Sequence, residues 1–184
     1  MRNMIRKGWI LLLVFFPHAL QAQQYVSENV VTGLTMPVAF SFLPDGNVII
    51  TQKGSGAKIY SQNNTFVSEF WNFTDSLNSQ AEQGVLGITL DPSFGTNHYV
   101  YIYYVHSNPP NSQTDHRLRV VRFTESSNAG TNPVVIFDYL LTTSVTNHVG
   151  GNIHFGRDDK LYISIGENGV SSNAQLLTNP KGKI

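Results

Sequence analysis

A ten-residue pattern that returns along the chain constrains its fold more than any other feature: Phe42-Leu43-Pro44-Asp45-Gly46-Asn47-Val48-Ile49-Ile50-Thr51 recurs as Phe155-Gly156-Arg157-Asp158-Asp159-Lys160-Leu161-Tyr162-Ile163-Ser164. A looser copy, Leu90-Asp91-Pro92-Ser93-Phe94, lies between them and runs on to Tyr99-Val100-Tyr101-Ile102. The copies begin at positions 42, 90 and 155, so they are spaced by 48 and 65 residues. Each places a turn carrying Asp ahead of a β-branched or aromatic strand. Repeats of about 40–50 residues with several strands each are the signature of propeller blades. The longer spacing is absorbed by residues 107–115 (Ser-Asn-Pro-Pro-Asn-Ser-Gln-Thr-Asp), which have loop composition. A β-sandwich also uses short, regularly spaced strands, but its strands need not resemble one another.

The rest of the chain agrees with an all-β fold. Val48-Ile49-Ile50-Thr51, the run from Tyr99 to Val105, Leu118 to Phe123 and Leu161 to Ile165 are short and rich in β-branched or aromatic residues. Leu118, Val120 and Arg122 alternate with Arg119, Val121 and Phe123, with neither face purely apolar. No window carries the 3.6-residue period of an amphipathic helix.

The first residues read as a leader. Arg2, Arg6 and Lys7 precede an apolar stretch from Gly8 to Phe16, and Ala22 offers a small residue for cleavage. The stretch is shorter than the ~20 residues a membrane span needs. Residues 1–22 are therefore expected to be a signal peptide, and residues 23–184 a periplasmic or secreted domain without a membrane span. The whole chain has 12 Lys+Arg and 12 Asp+Glu; three of those cations lie in the leader, which leaves nine against 12, a net charge of −3. A mildly acidic domain with no basic stripe argues against a nucleic-acid partner. There is no cysteine, which excludes disulfides and thiolate metal sites. His98, His106 and His116 show no ligand spacing, so no metal ligand is assigned. About 160 residues at about 50 per blade make about three blades, whereas closed propellers use typically 4–8. The domain is expected to be part of a propeller.

Several stretches, in order, resemble the glucose/sorbosone dehydrogenase family, the soluble quinoprotein sugar dehydrogenases. Gly33-Leu34 with Pro37, then Leu43-Pro44-Asp45-Gly46, resemble the family's opening and its LPDG turn. Glu82-Gln83-Gly84-Val85-Leu86-Gly87 resembles its GGLLG segment, and Arg119-Val120-Val121-Arg122-Phe123 its R-V-x-R-F strand. His148-Val149-Gly150-Gly151-Asn152 followed by Asp159-Lys160-Leu161-Tyr162 and Gly166-Glu167 resembles its H-x-G-G block and GD turn. The ending Lys181-Gly182-Lys183-Ile184 resembles a motif that lies mid-chain in the family.

The resemblance implies a six-bladed propeller that holds pyrroloquinoline quinone (PQQ) and calcium, acts on an aldose sugar and passes electrons to an acceptor. It implies oxidation at the anomeric carbon to a lactone. That reaction removes a hydride, taken by the quinone, and a hydroxyl proton, for which a base is needed. Histidine suits the base because neutral imidazole is available near pH 7, and His148 is the expected catalytic residue. Glu82, Gln83 and Asn147 fall at positions of polar contact to quinone or sugar. Glu167 either reaches the site or closes a turn; His154 reads as structural. Most ligands of PQQ and calcium are expected beyond residue 184, so this polypeptide alone is expected to be inactive. A non-catalytic carbohydrate- or protein-recognition propeller is the alternative, because fold alone does not fix function. A calcium-dependent hydrolase would need converging carboxylates, and most acids here sit in turns.

Overall fold

The computed structural model describes residues 25–142 and 144–184. The expected signal peptide, residues 1–22, lies outside the described residues. Ten strands form three antiparallel sheets among those described. The first sheet contains β1 (Pro37–Phe42), β2 (Val48–Gln52), β3 (Gly56–Tyr60) and β4 (Phe66–Asn72), paired in chain order. The second contains β5 (Val85–Leu90), β6 (Tyr99–Ser107), β7 (His116–Ser126) and β8 (Ala129–Leu141), again in chain order. The third pairs only β9 (Ile153–Phe155) with β10 (Leu161–Ile163). Helical structure among the described residues amounts to a four-residue turn, α1 (Phe94–Asn97), and two short 3-10 segments. No described helix is long and apolar enough to cross a membrane.

The sequence repeat is the hairpin made by the first two strands of each sheet, and its Asp has one job in all three copies. Asp45 accepts from the Asn47 N–H at 2.9 Å, Asp91 from Ser93 at 2.9 Å and Asp158 from Lys160 at 3.3 Å. A short acceptor side chain that caps the backbone two residues on is what turns of this kind select. The third turn residue is left-handed in both close copies: Gly46 at φ 86° and Asp159 at φ 58°. The middle copy inserts α1 before β6, which explains its looser match.

The sheets stack face to face. The first strands line up side by side, β1 against β5 and β5 against β9, while β4 touches β8 at the far end. One core lies between the first and second sheets, built from Ile49, Ile59, Phe70, Val85, Ile102 and Phe123 among others. A second lies between the middle sheet and the third, around Tyr103, Leu118, Val120, Val149 and Ile153. The middle sheet is thus covered on both faces, which is why β7 does not alternate cleanly: Leu118 and Val120 face one core, Val121 and Phe123 the other. β8 carries Pro133 on the outer strand of its sheet, where a missing N–H is tolerated. The register slips beside it, between Arg122 and Thr124 of the partner strand.

These are sheets like propeller blades. Of the about three blades expected, the described residues form two four-stranded sheets and one two-stranded sheet. After β10 the chain passes through left-handed Asn168, Gly169 and Gly182 and returns only as the isolated bridge of Ile165 with Lys183.

Candidate functional site

Three loops converge at one end of the stacked sheets: the turn before β5, the segment joining β8 to β9, and the segment after β10. The closeness of the last two is set by glycine. A Cβ on Gly166 would stand 1.9 Å from the His148 carbonyl oxygen, and one on Gly150 would stand 2.3 Å from the Ser164 oxygen. The Gly150-Gly151 pair therefore has a packing role within the chain: Gly151, at φ 124°, also faces Leu86 at 2.6 Å from its virtual Cβ.

His148 sits where the loops meet, at φ 53°, a conformation non-glycine residues seldom adopt. Its backbone is gripped on both sides. The N–H donates to Glu82 Oε2 at 2.6 Å, and the carbonyl accepts from the Asn168 N–H at 3.0 Å. The Glu82 N–H in turn donates to the Thr146 carbonyl at 3.3 Å. The imidazole Nδ1 is hydrogen-bonded to Glu167 Oε1. A carboxylate there makes Nδ1 the protonated nitrogen and leaves the Nε2 lone pair as the basic position. The hydrogen bond that His148 donates to Glu167, the charge of Glu167 and the charge of Glu82 raise the His148 pKa above the ordinary imidazole value. Glu167 is held below the usual carboxylate range by His148 and by backbone N–H groups at its own turn. The His148 side chain remains about half exposed, at 52%, so a solute can reach it.

Of the expected site residues, Glu82 and His148 are brought into direct contact. Asn147 is exposed next to His148, and its carbonyl accepts from Asn168 Nδ2 at 3.4 Å. Gln83 is placed differently. It is fully buried, and its Nε2 donates to His116 Nδ1 at 3.0 Å. Gln83 thus anchors the turn from within, and His116, to which the sequence assigned no ligand role, is its partner. Glu167 reaches the site. Asn168 was not singled out from the sequence, although an Asn-Gly pair following an acid marks a tight turn.

PQQ carries three carboxylates, which need cations or several N–H donors. The groups gathered here do not supply them: Glu82 and Glu167 are anionic, His148 Nδ1 is committed to Glu167, and the buried Gln83 Oε1, without a partner among the described residues, is itself an acceptor. The loops fit the removal of a proton and do not fit the grip on the quinone.

The family model for glucose/sorbosone dehydrogenases matches residues 34–184, and the chain belongs to that family of PQQ-dependent sugar dehydrogenases. The quinoprotein glucose dehydrogenase B of Acinetobacter calcoaceticus is 25% identical over 163 residues, which are 85% of this chain and 34% of that protein. Among solved structures, a Thermus thermophilus oxidoreductase described as a glucose dehydrogenase aligns with TM-score 0.74 and 30% identity, over 84% of this chain and 45% of that one. The aldose sugar dehydrogenase of Streptomyces coelicolor, solved with PQQ bound, aligns with TM-score 0.71 and 24% identity, over 86% of this chain and 46% of that one. The chain spans less than half the length of each of these.

Proposed function

We propose that the complete protein oxidises an aldose at its anomeric carbon to the lactone in a PQQ-dependent reaction, with His148 as the base. The observation that carries this reading is the His148–Glu167 pair, braced from beneath by Glu82. In this reading neutral His148 takes the anomeric hydroxyl proton on Nε2, and Glu167 stabilises the imidazolium so formed. PQQ, when bound, supplies the acceptor for the hydride. Its cationic ligands, and the calcium ligands, belong in this reading to residues outside 1–184, on a six-bladed propeller of which this chain forms a part. The leader pattern of residues 1–22 supports export to the periplasm or beyond.

The test is aldose-dependent dye reduction by the complete protein after reconstitution with PQQ and calcium. The expected result is activity that His148→Ala reduces by at least about 100-fold, the scale of a lost general base. Residues 1–184 alone are expected to show none. Failure of the complete protein to bind PQQ or sugar would replace this reading with that of a recognition propeller.

A further inference from the structure

We propose that Asn168 is the positioning residue of this site: it holds the loop bearing His148 against Glu167 and thereby keeps the imidazole paired. This inference rests on the reading above for its consequence in catalysis, but its geometry stands alone.

Asn168 follows Glu167 directly, and it is 1% exposed. Among the described residues, three hydrogen bonds cross from this one residue to the neighbouring loop. Its Nδ2 donates to the Val145 carbonyl at 3.1 Å and to the Asn147 carbonyl at 3.4 Å, while its backbone N–H donates to the His148 carbonyl at 3.0 Å. A residue whose only task was to turn the chain would need its left-handed φ of 57° and nothing from its side chain, since asparagine adopts that conformation with its amide in solvent. Here the amide is buried and spans 23 and 21 residues of sequence to reach its acceptors. Gly169 packs beneath Val145, where a Cβ would stand 2.8 Å from Val145 Cγ1. The loop is thus clamped from both Asn168 and its neighbour.

The clamp matters because the His148 ring is not held by burial. Its ring is half exposed and its backbone is left-handed. The loop is also held near His148 by Glu82 from the other side, through the His148 N–H and the Thr146 carbonyl, and by the Tyr103 hydroxyl at the Val149 carbonyl. Releasing the two carbonyls that the amide holds, those of Val145 and Asn147, loosens the loop about the Glu82 contact and separates the ring from Glu167. Glu82 and Glu167 are the charged groups that face His148 among the described residues, so the ring's titration reports which of them it sees.

The experiment compares the full chain with its Asn168→Gly variant, which removes the amide but tolerates the left-handed backbone. The His148 ring is followed by NMR across pH, without cofactor. With far-UV dichroism unchanged, the His148 midpoint is expected to fall towards the ordinary imidazole value. In the reconstituted complete protein, kcat is expected to fall about tenfold with KM within about twofold, as for loss of transition-state positioning alone. An unchanged His148 midpoint in a folded variant overturns the proposal. If the variant does not fold, solvent exchange of the Asn168 side-chain amide protons in the unmodified chain decides: slow exchange supports the clamp, and free exchange overturns it. A shift in midpoint without any dye reduction in the parent would remove the oxidation reading and leave the positioning role in place.

Discussion

The Tyr103 hydroxyl, fully buried in the middle of β6, donates at 2.8 Å to the carbonyl of Val149, the residue after His148. Burial drives the phenol pKa far above its ordinary value, so the group remains a donor at every working pH. This bond ties the rigid middle sheet to the loop of the candidate site. Tyr103→Phe keeps the ring and deletes the donor, which leaves a buried carbonyl unmet. The expected loss is about 1–2 kcal/mol, read from the midpoint of urea unfolding. An unchanged midpoint would show that the carbonyl is satisfied without the tyrosine.

Glu167→Gln tests the electrostatics of the pair. The folded His148 pKa is raised, chiefly by the Glu167 hydrogen bond and charge. The pair therefore adds stability that is full below the ordinary imidazole pKa and is lost as pH rises through the folded one. The variant is expected to melt lower than the parent at pH 6 and to approach it at pH 9. A base works in its neutral form, so the acid limb of the activity profile is expected to move to lower pH as the His148 pKa falls. Equal melting losses at both pH values would show that no ion pair forms.

Much of this was legible in the residues, and the reasons differ from place to place. The Asp turns could be read because each is local: Asp45 caps Asn47 two positions away, and Asp158 caps Lys160 in the same manner. β3, β4 and β8 were not legible. Gly56, the exposed run of β4 and Pro133 in β8 carry no alternating pattern, and they are strands because their neighbours in the sheet supply hydrogen-bond partners. The same division holds in the site. His148 and Glu82 stand out by motif. The burial of Gln83 against His116 and the reach of Asn168 depend on contacts 33 and 23 residues apart, which a linear pattern does not encode.

Asp138 on β8 lies across from Arg117 and Arg119 on β7, with Arg117 Nε and Nη2 at 2.8 Å and Arg119 Nε at 2.9 Å. The hydrogen bonds from Arg117 are the largest influence on its carboxyl and hold it below the usual carboxylate range; those from Arg119 act the same way. Its side chain is 30% exposed, so solvent screens much of the attraction. Asp138→Asn is expected to cost about 0.5–1 kcal/mol at pH 7. Because the folded pKa is depressed, that contribution is present above the ordinary carboxylate pKa and disappears as pH falls through the folded one. Urea unfolding of both proteins at pH 7 and in acid checks this, and a difference that persists in acid would assign the loss to packing.

Gly166→Ala probes the distance between the two loops of the site. The added Cβ would meet the His148 carbonyl oxygen at 1.9 Å and its carbon at 2.4 Å. Backbone on both sides leaves no flexible side chain to yield, so the His148 loop must move away from Glu167. The expected cost is about 1–3 kcal/mol, as for overpacked interiors, together with a fall of the His148 titration midpoint. Gly95→Ala is the matched control, since its Cβ would meet nothing within 4 Å and it lies in the helical turn α1, where alanine is favoured over glycine. If the two substitutions have equal effects on melting, close approach of the loops is not what Gly166 provides. If only Gly166→Ala lowers both the melting temperature and the His148 midpoint, the pairing of His148 with Glu167 depends on that close backbone contact.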